Sequence, residues 1–124
     1  KVISRVIMCS GKIYSALFEE RERLERNDIY LLRVEQLFPY PRTAMAEELK
    51  RFKNAEMIWC QEEPKNMGAW SFIDPFIEET LVELDAKRVR ARYVGRKASA
   101  STATGIASKH KAEQQAILDE AFAK

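Results

Sequence analysis

The chain is short of the residues that most often do chemistry. Its 124 residues include one histidine, His110, and two cysteines, Cys9 and Cys60. One histidine and two cysteines set in apolar runs (RVIMCS and MIWCQE) do not build a zinc site. The same runs read both cysteines as buried, reduced thiols rather than a disulfide, which fits a reducing compartment. Glycine is also sparse, four in all, and none falls in the GxGxxG or GxxxxGK[ST] spacing of phosphate loops. Net charge is only +2, too small to point to nucleic acid or a membrane surface as the main partner. No apolar run approaches the ~20 residues of a membrane-spanning helix, and no signal-peptide pattern is present. His110 lies between two lysines in SKHKAE, where it reads as a solvated or capping side chain. No Ser, Cys or Lys is spaced to act as its nucleophile.

What the chain does have is a regular alternation of periods. Its length suggests one domain, able to bury roughly 65% of the surface its unfolded form exposes. Composition is 46% hydrophobic and 32% charged, ordinary for a globular protein. Val2–Cys9 carries the β-favouring run Val6-Ile7-Met8-Cys9, a buried strand bounded by Ser10-Gly11. Residues 10–26 place Ile13, Tyr14, Leu17, Phe18 and Leu24 near one helical face. Ile29–Val34 is a second strand. Phe38-Pro39-Tyr40-Pro41 is a loop, because the residue before each proline is pushed out of the helical region. Pro41 starts a helix through Phe52. Glu56–Gln61 is a third strand. Residues 68–84 form an amphipathic helix with Pro75 in its first turn, capped by Asp74, or at a kink. Val89–Val94 is a short strand with Arg90 and Arg92 on one face, as at a sheet edge. Residues 108–123 form the last helix. The order βαβαβαβα predicts an α/β fold with a parallel sheet covered on both faces. The opening KVISRVIMC already reads as a strand, which suggests a piece of something longer; a trimmed small protein is the alternative.

The stretch QEEPKNMGAW (61–70) concentrates the polar candidates. Glu62 and Glu63 are adjacent on an extended segment, so they point to opposite sides and make no carboxylate dyad. They are expected just past the carboxyl end of a strand, where open α/β sheets put ligands. Pro64 stiffens the loop, Asn66 offers backbone hydrogen bonds and Gly68 allows a positive φ. Trp70 opens the next helix as a core residue or an interface anchor. Glu62 and Glu63 read either as one capping or ion-paired carboxylate and one solvated one, or as part of an organising loop at an interface with Asn66 and Trp70; a small hydrolase using Glu62 or Glu63 is a third reading. Gln36 and Arg42 flank LFPYP, and Arg42 at a first helical turn makes an anion site conceivable. Residues 95–105, GRKASASTATG, offer a second place for a phosphate, with Arg96 and Lys97. Taken alone, these cations define the competing hypothesis: a free-standing α/β binding module for a phosphorylated or CoA-type ligand, using Arg42, Arg96 and Lys97.

Four segments together resemble a known family. CSGKIYSAL (9–17), VEQLFPYP (34–41), WCQEEPKNMGAW (59–70) and YVGRKASASTATGIASKHKAEQQAILDEAF (93–122) closely resemble the C-terminal domain of 2-oxoglutarate dehydrogenase. That is the thiamine-diphosphate-dependent, decarboxylating first component of a multienzyme complex. The likeness covers essentially the whole chain. It implies a three-layer αβα sandwich of transketolase C-terminal type, mostly parallel with one antiparallel edge strand. It also implies that residues 1–124 are a single domain of a larger multidomain enzyme. In such enzymes thiamine diphosphate and magnesium are held by the two preceding domains, and their diphosphate motif, GDG followed by an NN pair, is absent here. The resemblance implies a non-catalytic role in homodimer assembly, beside the preceding domains and the dihydrolipoyl succinyltransferase component, in a bacterial cytoplasm or mitochondrial matrix. It implies no nucleic-acid or membrane partner. Some bacterial members bind acetyl-CoA or a nucleotide, and the matching positions here are Gln36 and Arg42. Where those members carry a second consecutive arginine, this chain has Thr43.

Overall fold

The computed structural model describes residues 2–97 and 107–124, with the side chains of 107–109 left aside. Four strands and four helices alternate: β1 (Arg5–Cys9), α1 (Ile13–Leu24), β2 (Ile29–Arg33), α2 (Arg42–Leu49, continued by a 3-10 turn Lys50–Phe52), β3 (Glu56–Pro64), α3 (Trp70–Glu83), β4 (Arg92–Arg96) and α4 (Ala107–Ala121). The sheet order is β2-β1-β3-β4, and every pairing is parallel.

Two-residue periodicity in the central strands builds both cores at once. Val6 and Met8 of β1, with Met57 and Trp59 of β3, face a core closed by Met45 and Leu49 of α2 and by Ile73, Ile77 and Leu81 of α3. Their neighbours Ile7, Cys9, Ile58 and Cys60 face the opposite core, closed by Ile13 and Leu17 of α1 and by Ile117, Leu118 and Phe122 of α4. All five residues of β1 are buried, as expected of a parallel strand covered on both sides. Two helices therefore lie on each face: the sheet is covered on both sides, as the alternation predicts, in the three-layer sandwich that the resemblance implies.

Some expectations need correction. No antiparallel edge strand occurs among the described residues. Each of the three described connections between strands carries a helix, which returns the chain to the same end of the sheet, so parallel pairing follows. The last strand starts at Arg92, not at residue 89. Arg90 turns away to pair with Asp74 (2.7 Å) and Glu78 (3.4 Å) of α3, while Lys87 bonds the Lys53 carbonyl. The third strand runs three residues further than expected, so Glu62 and Glu63 belong to its end rather than to the loop beyond. Pro75 sits inside α3 and Asp74 is not its cap. Phe18 and Leu24 of α1 are 42% and 39% exposed, since the side of α1 that reaches the core centres on Ile13 and Leu17.

The phosphate expectation over residues 95–105 is met only in part by the described residues: Arg96 closes β4, and residues 98–106 lie outside the described residues.

Candidate functional site

The chain leaves β1 for α1 on one face of the sheet and leaves β3 for α3 on the other. These strands are neighbours, so a crevice opens between their carboxyl ends. This is the switch point at which open α/β sheets bind ligands. A cavity of about 420 Å³ occupies it. Trp59, Leu37, Phe72 and Ala69 give it an apolar wall; Ser10, Gly11, Gln61 and Glu63 supply the polar edge, and Phe38 forms a rim.

Gln61 organises one side. Its Oε1 accepts from the Trp59 indole N–H at 2.9 Å and from the Trp70 backbone N–H at 3.1 Å. Its Nε2 lies 2.8–3.1 Å from the carbonyls of Glu63, Pro64 and Met67, so two protons are shared among three acceptors. One buried amide thus fixes the end of β3, the following turn and the start of α3. Gly68 completes the turn at φ +67, and a Cβ there would meet Glu63 Oε1 at 3.0 Å and Gln61 Nε2 at 3.2 Å. In β4, a Cβ on Gly95 would lie 2.7 Å from the Gln61 carbonyl oxygen and 2.6 Å from the Tyr93 hydroxyl. Tyr93 donates to the Glu63 carbonyl at 3.2 Å and to the Arg96 carbonyl. Burial pushes its phenol up to about 12.

The polar residues singled out in the sequence separate in space. The Glu62 carboxylate accepts from Gln114 of α4 at 2.7 Å, while Glu63 borders the switch-point cavity on the α3 side; no dyad forms. Both also border a cleft of about 200 Å³ with Lys12, Arg96, His110 and Glu113. There Arg96 pairs with Glu113 at 3.3 Å. Asn66 is exposed on the turn. Trp70 is only 7% exposed, with its ring 5.6 Å from that of Tyr93, so it packs within this chain's own core. Among the described residues no three His, Cys, Asp or Glu side chains gather as a metal site. Cys9 and Cys60 are fully buried. Desolvation pushes the Cys9 thiol up to about 12 and Cys60 higher still, so neither is a reactive thiolate.

Gln36 and Arg42 flank one loop but line different depressions. Gln36 is exposed, beside Pro41 and Glu48. Arg42 lines a surface hollow with Thr43 and Lys50. Its guanidinium pairs with Glu79 of α3 and lies 5.6 Å from the centre of the Phe76 ring. From there an aromatic row runs to the cavity: Tyr40 stacks on Phe76 at 5.0 Å, Phe76 meets Phe72 at 5.2 Å, and Phe72 meets Phe38 at 6.0 Å. Arg42 of α2 pairs with α3 on one face of the sheet, whereas Arg96, at the end of β4, pairs with Glu113 of α4 on the other, so the two do not share a site.

Sequence reasoning passed over Gln61, Gly11 and Phe38. The available signal for Gln61 was an amide closing an otherwise apolar strand, directly before two carboxylates.

Comparison with known proteins adds the last observation. The family described as 2-oxoglutarate dehydrogenase C-terminal matches residues 1–122. The 2-oxoglutarate dehydrogenase E1 components of Brucella anthropi, Brucella ovis and Brucella canis are each 60% identical over 120 residues. The aligned region covers 97% of this chain and 12% of each relative.

Proposed function

The chain belongs to the 2-oxoglutarate dehydrogenase C-terminal family, and from that premise we propose that it is the non-catalytic C-terminal domain of a 2-oxoglutarate dehydrogenase, serving homodimer assembly and binding of an anionic effector. The whole enzyme decarboxylates 2-oxoglutarate oxidatively and passes the succinyl group to a lipoyl-lysine of the succinyltransferase component. The observation that carries this reading is a match over nearly the whole chain to only 12% of the relatives' length. Thiamine diphosphate and magnesium are assigned to the preceding domains. The cofactor supplies the carbanion chemistry where it is bound. Bacterial relatives support a cytoplasmic location.

Assembly is assigned to the loop organised by Gln61. Its exposed members Glu63, Lys65 and Asn66 face outward, while Glu62 is tied to α4. The effector phosphate, of acetyl-CoA or a nucleotide, is assigned to Arg42, and Gln36, in its own depression across the loop, is assigned a second contact with the same effector. Both partners of the Arg42–Glu79 pair are about half exposed, and an exposed pair is weak, so a phosphate competes readily with Glu79. The test is direct. The 124-residue chain, given thiamine diphosphate and magnesium, shows no decarboxylation of 2-oxoglutarate, whereas the full-length enzyme does; turnover by this chain alone overturns the non-catalytic assignment. Arg42→Ala in the full-length enzyme weakens acetyl-CoA binding in a titration, and unchanged affinity refutes the effector assignment.

A further inference from the structure

We infer that the switch-point cavity is a second binding site, for a flat aromatic amine rather than an anion. Three observations converge on it. The first is concavity with mixed chemistry. A volume of about 420 Å³ falls in the range of small-molecule sites, which combine apolar walls with a few placed polar groups. Here the wall is Trp59, Leu37 and Phe72, and the polar lining comes from Ser10, Gln61 and Glu63. The second is space. Gly11 holds φ +80, and a Cβ placed there meets nothing within 4 Å, so the backbone opening α1 is left open to an incoming group. The third is Phe38. It is 83% exposed, yet its ring stands 6.0 Å from Phe72 on the rim. A planar ligand gains stacking from both.

Charge selects among planar ligands. Among the described residues lining the cavity, Glu63 is the one ionisable group, and no Lys, Arg or His joins it. Its carboxylate makes no hydrogen bond or ion pair with any described residue. Lys12, Arg96 and His110 lie in the cleft on the other side of Glu63, not in the cavity. A phosphate or carboxylate entering the cavity meets the like charge of Glu63, whereas an ammonium gains a partner. The ligand class therefore differs from the anion assigned to Arg42, and the inference does not depend on that assignment.

Tryptamine and indole-3-propionate carry the same ring on side chains of opposite charge, and they make the test. Each is titrated into the isotope-labelled chain while the backbone amide signals of Gly11 and Gly68 are followed. Tryptamine moves both signals and binds about ten-fold more tightly than the acid, the size expected when an exposed attraction replaces a repulsion. Glu63→Gln brings the two ligands within about two-fold of each other. Phe38→Ser weakens both about five-fold. Both side chains are exposed, so neither change threatens the fold. Failure of tryptamine to move either signal at millimolar concentration overturns the site. Equal binding of amine and acid to the unsubstituted chain overturns the ligand class. Self-association that Phe38→Ser abolishes, with no ligand present, assigns the cavity to a second copy of the chain and overturns the proposal as well.

Discussion

Arg5, the first residue of β1, donates from Nη1 to the carbonyl of Ala121 at 2.8 Å, across 116 positions of sequence. Arg26, beyond α1, does the same for the carbonyl of Phe122 at 2.8 Å. These carbonyls at the end of α4 lack partners within the helix, and positive charge there also meets the negative end of the helix dipole. Arg5 is further held by Glu56 of β3 at 3.0 Å. Two guanidiniums thus tie the last helix to the amino-terminal edge of the sheet.

Replacing Arg5 by Met keeps the apolar stem and removes the donor. The buried Ala121 carbonyl is then unpaired and Glu56 loses one of its two arginines. The expected loss is about 2 kcal/mol in denaturant unfolding. Hydrogen exchange rises first in α4, before the central strands.

Gln61→Leu retains shape and removes every bond of the amide. The Trp59 indole N–H and the carbonyls around the turn are left in a poorly hydrated site. A loss of about 2–4 kcal/mol is expected, and near-ultraviolet circular dichroism reports altered packing of Trp59 and Trp70. A loss below about 0.5 kcal/mol contradicts the organising role.

Two glycines are distinguished by substitution with alanine. At Gly95 a new Cβ collides with the Gln61 carbonyl and the Tyr93 hydroxyl, and such overpacking costs about 1–3 kcal/mol. At Gly11 nothing stands in the way and only the positive φ is strained, about 1 kcal/mol. Thermal melts of the two variants, run side by side, show the larger drop for Gly95→Ala.

Acid sensitivity has a named contributor. Arg26 hydrogen bonds to the Asp28 carboxylate, followed by the Ser4 hydroxyl, hold it well below the usual carboxylate range. A depressed folded value stabilises the fold above the unfolded value, near pH ~3.9, and that stability is lost as pH falls from there through the folded value. Asp28→Asn flattens the dependence of unfolding free energy on pH below about 4. Because the side chain is one-third exposed, solvent screening keeps the effect modest.

The buried thiols give a further kind of measurement. With Cys9 and Cys60 fully buried and their ionisation suppressed, neither labels with a thiol reagent at pH 8 in the native protein. Both label on unfolding, and native labelling faster than global unfolding contradicts their burial.

Much of the fold was legible because its central strands are buried on both faces. A run such as Val6-Ile7-Met8-Cys9 has little other use in a chain of this length, and the helical periods between such runs fix the alternation. The order of strands was not legible, since periodicity says which residues are buried but not which neighbour buries them. The end of the third strand was missed for a similar reason. Glu62, Glu63 and Pro64 have poor strand propensity, and they extend because Gln61 and the Arg96 edge hold them. The absence of a Glu62–Glu63 dyad followed from alternation alone. The cavity was invisible, because Ser10, Leu37 and Phe72 come from three separate segments and meet only through the topology.

The two cores close at different points along the chain. The helices that cover Val6, Met8 and Trp59 end at residue 83, whereas Ile7, Cys9, Ile58 and Cys60 wait for Ile117, Leu118 and Phe122. During synthesis, which runs from the amino end, one side of the sheet can be sheltered while the other is only half roofed. A ribosome paused after β4 would present a nascent chain with an open apolar flank, and that intermediate is where chaperone engagement would concentrate.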